Sequence, residues 1–306
     1  MTDDVTQGLP RMAGPGSPVF VLSTPCSGAA LMRILLDSHP MLACPPNANL
    51  PAILWPLFPA ERLPSLSPGE GPELDIPEEV ITAAVRDTAE ESMVACLAGQ
   101  RKERFCDTSP ETARLAFLLL KIWPDAKFVL WYRHPMATID SAMRQLNDRY
   151  MSGFEDPALV AAANSVQAQA PVWLENTGAM MNFQRQYPER CRAVRREDWL
   201  MDMQAAADSV YSFLEVAPVP DIARAVFGRD ARSEWLWRHR SPRVATDSPN
   251  GWTLRADLID EQTRRGIIGL CGPLGYLAPD GNWGLGDLPA DLRVGPMKMP
   301  LAGGLW

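Results

Sequence analysis

Residues 18 to 40, PVFVLSTPCSGAALMRILLDSHP, place the small-residue turn Pro25-Cys26-Ser27-Gly28-Ala29 between an apolar strand and an amphipathic helix. Such a turn opens backbone N–H groups toward one point at a helix N-terminus, where the dipole also favours negative charge, so a phosphate or sulfate fits there. Read without function, it is a strand-to-helix junction in an α/β protein, with Gly28 present because the turn is tight. A second stretch shifts the weight toward anion binding. In KFVLWYRHPMATIDSAM, residues 127 to 143, a strand runs into Arg133, Pro135 starts the next helix, and Ser141 follows the arginine by eight positions. A guanidinium at a strand end and a hydroxyl two turns into the next helix can reach one oxyanion.

Two other residues carry chemistry of their own. Cys26 is a thiol at a helix N-terminus, where the dipole stabilises a thiolate; that suits a nucleophile or a redox-sensitive site, while the plainer reading is a small residue filling an anion loop. Asp107 ends the short strand RFCD beside the expected pocket and is the candidate general base or substrate contact, because a carboxylate in a partly dry pocket has its pKa raised toward useful values. Of the three histidines, His39 precedes Pro40 at a helix end and reads as capping. His134 follows Arg133 at a strand end, where its ring can touch a ligand, and His239 sits in a basic run, WRHRSPR, that reads as surface. The six cysteines, at 26, 44, 96, 106, 191 and 271, have no CxxC spacing, so a metal or disulfide framework is not indicated.

Around these residues the chain alternates strands and helices. Helix is predicted over 76–98, 110–123, 157–186 and 201–215, and strand over 19–22, 103–107, 126–132 and 190–195. That alternation predicts a parallel sheet with ligand bound at the carboxyl ends of its strands. After residue 216 the chain is rich in Pro, Gly, Trp and Arg and reads as an irregular cover, with Trp235, Trp237 and Trp252 either lining an acceptor pocket or packing the cover onto the body. The expected organisation is a tail at 1–17, one domain at 18–276 and a C-terminal tail at 277–306 covering the domain. With 306 residues, 46% of them hydrophobic, the chain is ample for a single core. The N-terminus is acidic where a secretory leader is basic, and no apolar run reaches the length of a membrane span, so a cytoplasmic protein is expected. A net charge of -8 argues against a nucleic-acid partner.

The two anion elements together resemble the PAPS-dependent sulfotransferase family, PAPS being 3'-phosphoadenosine 5'-phosphosulfate. Further stretches resemble its bacterial branch: SHPMLACPPNANLPA after the first helix, CDTSPETA at 106–113, WPDAKF before the second strand and RREDWL at 195–200. The resemblance implies a P-loop-like α/β fold, a parallel sheet flanked by helices. It implies PAPS as cosubstrate, with Ser27, Gly28, Ala29 and Ala30 on the 5'-phosphosulfate and Arg133 and Ser141 on the 3'-phosphate. The chain also departs from the family pattern. Cys26 stands at the place of a phosphate-binding cation, Ala29 and Ala30 at hydroxyl positions, Thr108 where a lysine is common, and Asn47 where a glutamate is common. The late basic loop maps onto DSPNGWTL, 247–254, without Arg or Lys between Asp247 and Leu254, and with Arg243 and Arg255 flanking it.

Two functional readings follow from the resemblance and its departures. In the first, the protein transfers a sulfuryl group from PAPS to a small or carrier-bound metabolite. In the second, the fold has lost PAPS use, and the pocket binds another metabolite or performs cyclisation, elimination or acyl transfer through Cys26 or Asp107. The missing cations favour the second; retention of Arg133 and Ser141 favours the first, since charge-assisted contacts of roughly 1.5–3 kcal/mol each hold a nucleotide.

Overall fold

Alternation within each strand sets the layers. The protein is described by a computed structural model over residues 17–46, 48, 50–54, 77–109, 112–151, 158, 160, 163–222 and 258–276. Five parallel strands, β1 (Val19–Ser23), β2 (Leu42–Ala43), β3 (Arg104–Asp107), β4 (Lys127–Tyr132) and β5 (Cys191–Arg195), form one sheet in the order β2-β3-β1-β4-β5. Phe20 and Leu22 of β1, and Phe128, Leu130 and Tyr132 of β4, point into one apolar cluster; Val19, Val21, Val129 and Trp131 point into the other. Each strand therefore buries both faces, as expected of a parallel sheet covered by helices on both sides.

On one side lie α1 (Ala30–Ser38), α7 (Arg196–Met201) and α8 (Met203–Leu214), which supply Leu31, Leu35, Trp199 and Tyr211. On the other lie α3 (Glu78–Gln100), α4 (Ala116–Ile122), α5 (Pro135–Met151), α6 (Val166–Gln186) and α9 (Glu261–Leu274), which supply Met93, Leu119, Ile139, Trp173 and Ile267. A short α2 (Leu50–Leu54) lies between β2 and α3 in the chain. Among the described residues no helix is long and apolar enough to cross a membrane, and no group of three or more His, Cys, Asp or Glu could hold a metal ion.

Caps explain where the helices depart from expectation. The region expected from 157 starts its long helix at Val166, because the Ser165 side chain accepts the Ala168 N–H at 3.1 Å. The helix expected over 201–215 runs from Met203 to Leu214, capped by Asp202 through the Ala205 N–H at 2.9 Å, and a short helix, Arg196–Met201, precedes it. The helix expected over 110–123 opens as a 3-10 turn at Thr112–Leu115, where the Thr112 hydroxyl donates to the Ser109 and Val21 carbonyls. Asn47, the 247–254 loop with Arg243 and Arg255, His239, Trp235, Trp237, Trp252, and the tails at 1–16 and 277–306 lie outside the described residues.

Candidate active site

The strand order puts a crossover at the centre of the sheet. From β1 the chain moves to β2 and β3 on one side, then returns past β1 to β4 on the other. The carboxyl ends of β1 and β4 therefore flank a topological switch point, where open α/β sheets bind ligands. The register pairs Ser23 with Trp131, Trp131 with Val194 and Tyr132 with Arg195. The 24–29 turn, Arg133 and Arg196 thus leave three adjacent strands at one level.

Within the turn, Cys26 at φ +63° and Gly28 at φ +84° are left-handed. For a cysteine that conformation costs about 1–2 kcal/mol, so the surrounding contacts must hold it. They are visible. The Ser27 N–H donates to the Thr24 carbonyl at 3.1 Å, Arg133 Nη1 donates to the Cys26 carbonyl at 3.1 Å, and Trp131 Nε1 donates to the Ser27 carbonyl at 3.2 Å. Since C=O and N–H point opposite ways across a trans peptide, pinning the Ser27 carbonyl against Trp131 turns the Gly28 N–H away from it. The Gly28, Ala29 and Ala30 amides precede the first bond of α1, which Leu31 donates to Gly28 O at 3.0 Å, and they take no acceptor among the described residues. The Ser27 hydroxyl in the same turn is 1% exposed and also has no partner there. Three amides, a buried hydroxyl and a helix dipole make a fitting receptor for an oxyanion.

Arg133 itself is buried, and its carbonyl accepts the Trp173 indole N–H at 3.1 Å. His134 is fully enclosed; burial, then the Arg133 charge, pushes its pKa down to about 3, so it packs as a neutral ring against Tyr276. Its backbone N–H donates to Glu197 Oε1 at 2.9 Å. Pro135 begins α5, and Ser141 is half-buried on that helix. One turn further, Gln145 Oε1 accepts from Cys26 Sγ at 2.7 Å. Residues at i and i+4 share a helix face, so Ser141 lies on the face that meets the turn. Cys26, Ser27, Gly28, Ala29, Ala30, Arg133 and Ser141 are thereby brought into one neighbourhood.

Asp107 stands apart from them. It pairs with Phe20, three residues before β1 ends, which puts it about 10 Å below the turn along the strand. Its carboxylate is 1% exposed; Oδ1 accepts the Ser109 N–H at 3.0 Å and the Ser109 hydroxyl at 2.6 Å, and Oδ2 has no partner among the described residues. Burial raises its pKa to about 6, against the opposing Ser109 hydrogen bonds. His39 is structural: its ring spans the Met41 N–H and the Ala217 carbonyl. All six cysteines are free thiols.

Two residues with no role in the sequence reading stand at the turn, Gln145 and Arg196. A methyl group on Gly28 would lie 3.2 Å from Arg196 Nε and 3.5 Å from its Cδ, so a larger residue here would press on the Arg196 side chain besides straining the backbone at this φ. The basic pair Arg195-Arg196 at a strand end was the available signal. Which of the two faced the turn depended on the sheet order.

Residues 18–221 match the Sulfotransferase family over the segment that carries the turn, Arg133 and Arg196. Among curated relatives, protein-tyrosine sulfotransferase A of Caenorhabditis elegans is 29% identical over 40% of this chain and 32% of its own length. Protein-tyrosine sulfotransferase 1 of Danio rerio is 31% identical over 40% of this chain and 34% of its own length, so the chain spans about a third of each of these relatives. Among solved structures, the sulfotransferase domain of the Synechococcus PCC 7002 olefin synthase aligns with a TM-score of 0.53 at 22% identity, over 88% of this chain and 98% of that one. The sulfotransferase domain from the curacin biosynthetic pathway aligns with a TM-score of 0.53 at 20% identity, over 86% and 99%. A turn that gathers amides at the switch point of the expected sheet, and a family match over two thirds of the sequence, agree: the chain belongs to the sulfotransferase family.

Proposed function

We propose that the protein transfers a sulfuryl group from PAPS to a hydroxyl, amine or phenol of a small or carrier-bound metabolite. The observation that carries this reading is the Arg133 Nη1 bond to the Cys26 carbonyl, which joins the two anion elements of the sequence into one site. PAPS, when bound, supplies the activated sulfuryl group. The chain's residues do the rest. The amides of Gly28, Ala29 and Ala30, with the Ser27 hydroxyl, hold the 5'-phosphosulfate end, and Arg133 and Ser141 hold the 3'-phosphate. Sulfuryl transfer resembles phosphoryl transfer in depending on positioning and electrostatic stabilisation, which a pinned turn with preset amides provides without reorganisation.

Asp107 enters this scheme as a positioning residue. Its depth below the turn favours ordering the Thr108-Ser109 segment, which runs up beside β1, over direct contact with an acceptor. Cys26 has the same standing: its carbonyl and its Sγ bridge Arg133 to Gln145, and no step is assigned to its sulfur. The same reading includes a cytoplasmic bacterial setting. The relatives named for protein tyrosine make a phenol the first acceptor to try.

Calorimetric titration with 3'-phosphoadenosine 5'-phosphate, the product nucleotide, tests the proposal directly. Saturable one-site binding is expected. Failure to bind at millimolar concentration would sink PAPS use and return the weight to other chemistry at Cys26 or Asp107.

A further inference from the structure

The turn that cradles the anion has lost the positive charge expected at position 26, yet a guanidinium stands against it from another strand. Arg196 is the first residue after β5, 3% exposed, in a protein of net charge -8. Its side chain crosses the β4 level to reach Gly28, where a single added methyl would meet Nε at 3.2 Å. Its neighbours on both sides are fixed. Arg195 Nε and Nη2 engage the Asp198 carboxylate at 2.7 and 2.6 Å, and its Nη1 donates to the Leu274 carbonyl at 2.9 Å. Glu197 accepts the His134 N–H and the Tyr276 hydroxyl, both at 2.9 Å. The backbone that carries Arg196 is thus held from either side, and ordering its side chain against the turn needs little further loss of freedom on binding.

We propose that Arg196 supplies the positive charge for the oxyanion held at the 25–30 turn, in place of the cation that Cys26 does not provide. The inference rests on the reading of this turn as the 5'-phosphosulfate receptor, and it names the residue that completes it. Three independent features meet there: preset amides, the buried Ser27 hydroxyl and an arginine whose Nε and Cδ lie against Gly28. A guanidinium is the side chain best matched to sulfate or phosphate, through its planar set of donors. Arg133, by contrast, serves the 3'-phosphate, so the two arginines divide the nucleotide between them.

The test compares wild type with Arg196→Gln and Arg196→Lys, using inorganic sulfate in thermal unfolding, and 3'-phosphoadenosine 5'-phosphate and adenosine 3'-monophosphate in calorimetry. Sulfate is expected to raise the unfolding temperature of wild type and Arg196→Lys, and not that of Arg196→Gln. Affinity for the bisphosphate should fall about 10- to 100-fold in Arg196→Gln and recover in part in Arg196→Lys, while adenosine 3'-monophosphate, which lacks the 5' group, binds both equally. Equal responses of wild type and Arg196→Gln to sulfate and to the bisphosphate overturn the role of Arg196 and leave PAPS use standing. A wild type that ignores the bisphosphate but responds to sulfate through Arg196 keeps the anion site and removes the nucleotide. A wild type that binds neither overturns both. If Arg196→Gln does not fold, Arg196→Lys carries the comparison: a several-fold loss for the bisphosphate alone supports the proposal, and equal affinities overturn it.

Discussion

Replacing Asp107 by asparagine isolates one buried charge. In the folded protein the carboxyl titrates at about 6 rather than its ordinary 3.8, because burial outweighs the two hydrogen bonds from Ser109. Ionising it in place therefore costs about 3 kcal/mol more than ionising it in the unfolded chain. Between these two values the folded state holds the proton and the unfolded state does not. The contribution to stability is thus complete below about pH 4 and lost as pH rises through 6. Asparagine keeps the acceptor for Ser109 and removes the titration. Urea unfolding of both proteins from pH 4 to pH 7 should show wild type losing about 2 kcal/mol relative to the variant, most of it before pH 6. The offset at any single pH also contains the cost of a buried amide where Oδ2 was, but the slope does not. His134, displaced the other way to about 3, loses stability as pH falls, and it cancels in the difference because both proteins carry it. Parallel pH profiles would refute the reasoning and put the Asp107 carboxylate in contact with solvent.

Two other substitutions probe the receptor. Arg133→Ala should weaken 3'-phosphoadenosine 5'-phosphate by about 2 to 4 kcal/mol in calorimetry, and should weaken adenosine 5'-monophosphate as well, since the same side chain braces the Cys26 carbonyl; an unchanged titration removes Arg133 from the site. Cys26→Arg should tighten the bisphosphate by about 1 to 2 kcal/mol, while Cys26→Ala changes it little. A null result for the arginine would mean that the loop is shaped so that a longer side chain following Cys26 Sγ toward Gln145 does not reach the ligand.

Much of the site was readable because its elements are local. An apolar run, a turn of small residues and a helix signal β1, the loop and α1 within 20 consecutive positions, and Pro135 marks the start of α5 by removing an N–H that a helix's first turn does not use. Other parts depended on distant partners. The two-residue β2 has no pattern of its own and exists because Met41, Leu42 and Ala43 meet β3. The break at Asp202 is a capping choice that a continuous helical pattern hides. The depth of Asp107 follows from its register with Phe20, and the approach of Arg196 to Gly28 follows from β5 lying beside β4; neither spacing is encoded near those residues.

The Glu197 carboxylate spans the His134 N–H and the Tyr276 hydroxyl, and Tyr276 is itself fully enclosed. The last described turn of the chain therefore acts as a tether on the peptide next to Arg133, although it contributes nothing to the sheet. For protein engineering, a cut inside α9 removes the Tyr276 hydroxyl and frees one oxygen of the Glu197 carboxylate beside the strand end that carries Arg133. The receptor's integrity is thus set partly by residues some 140 positions downstream of the arginine it depends on.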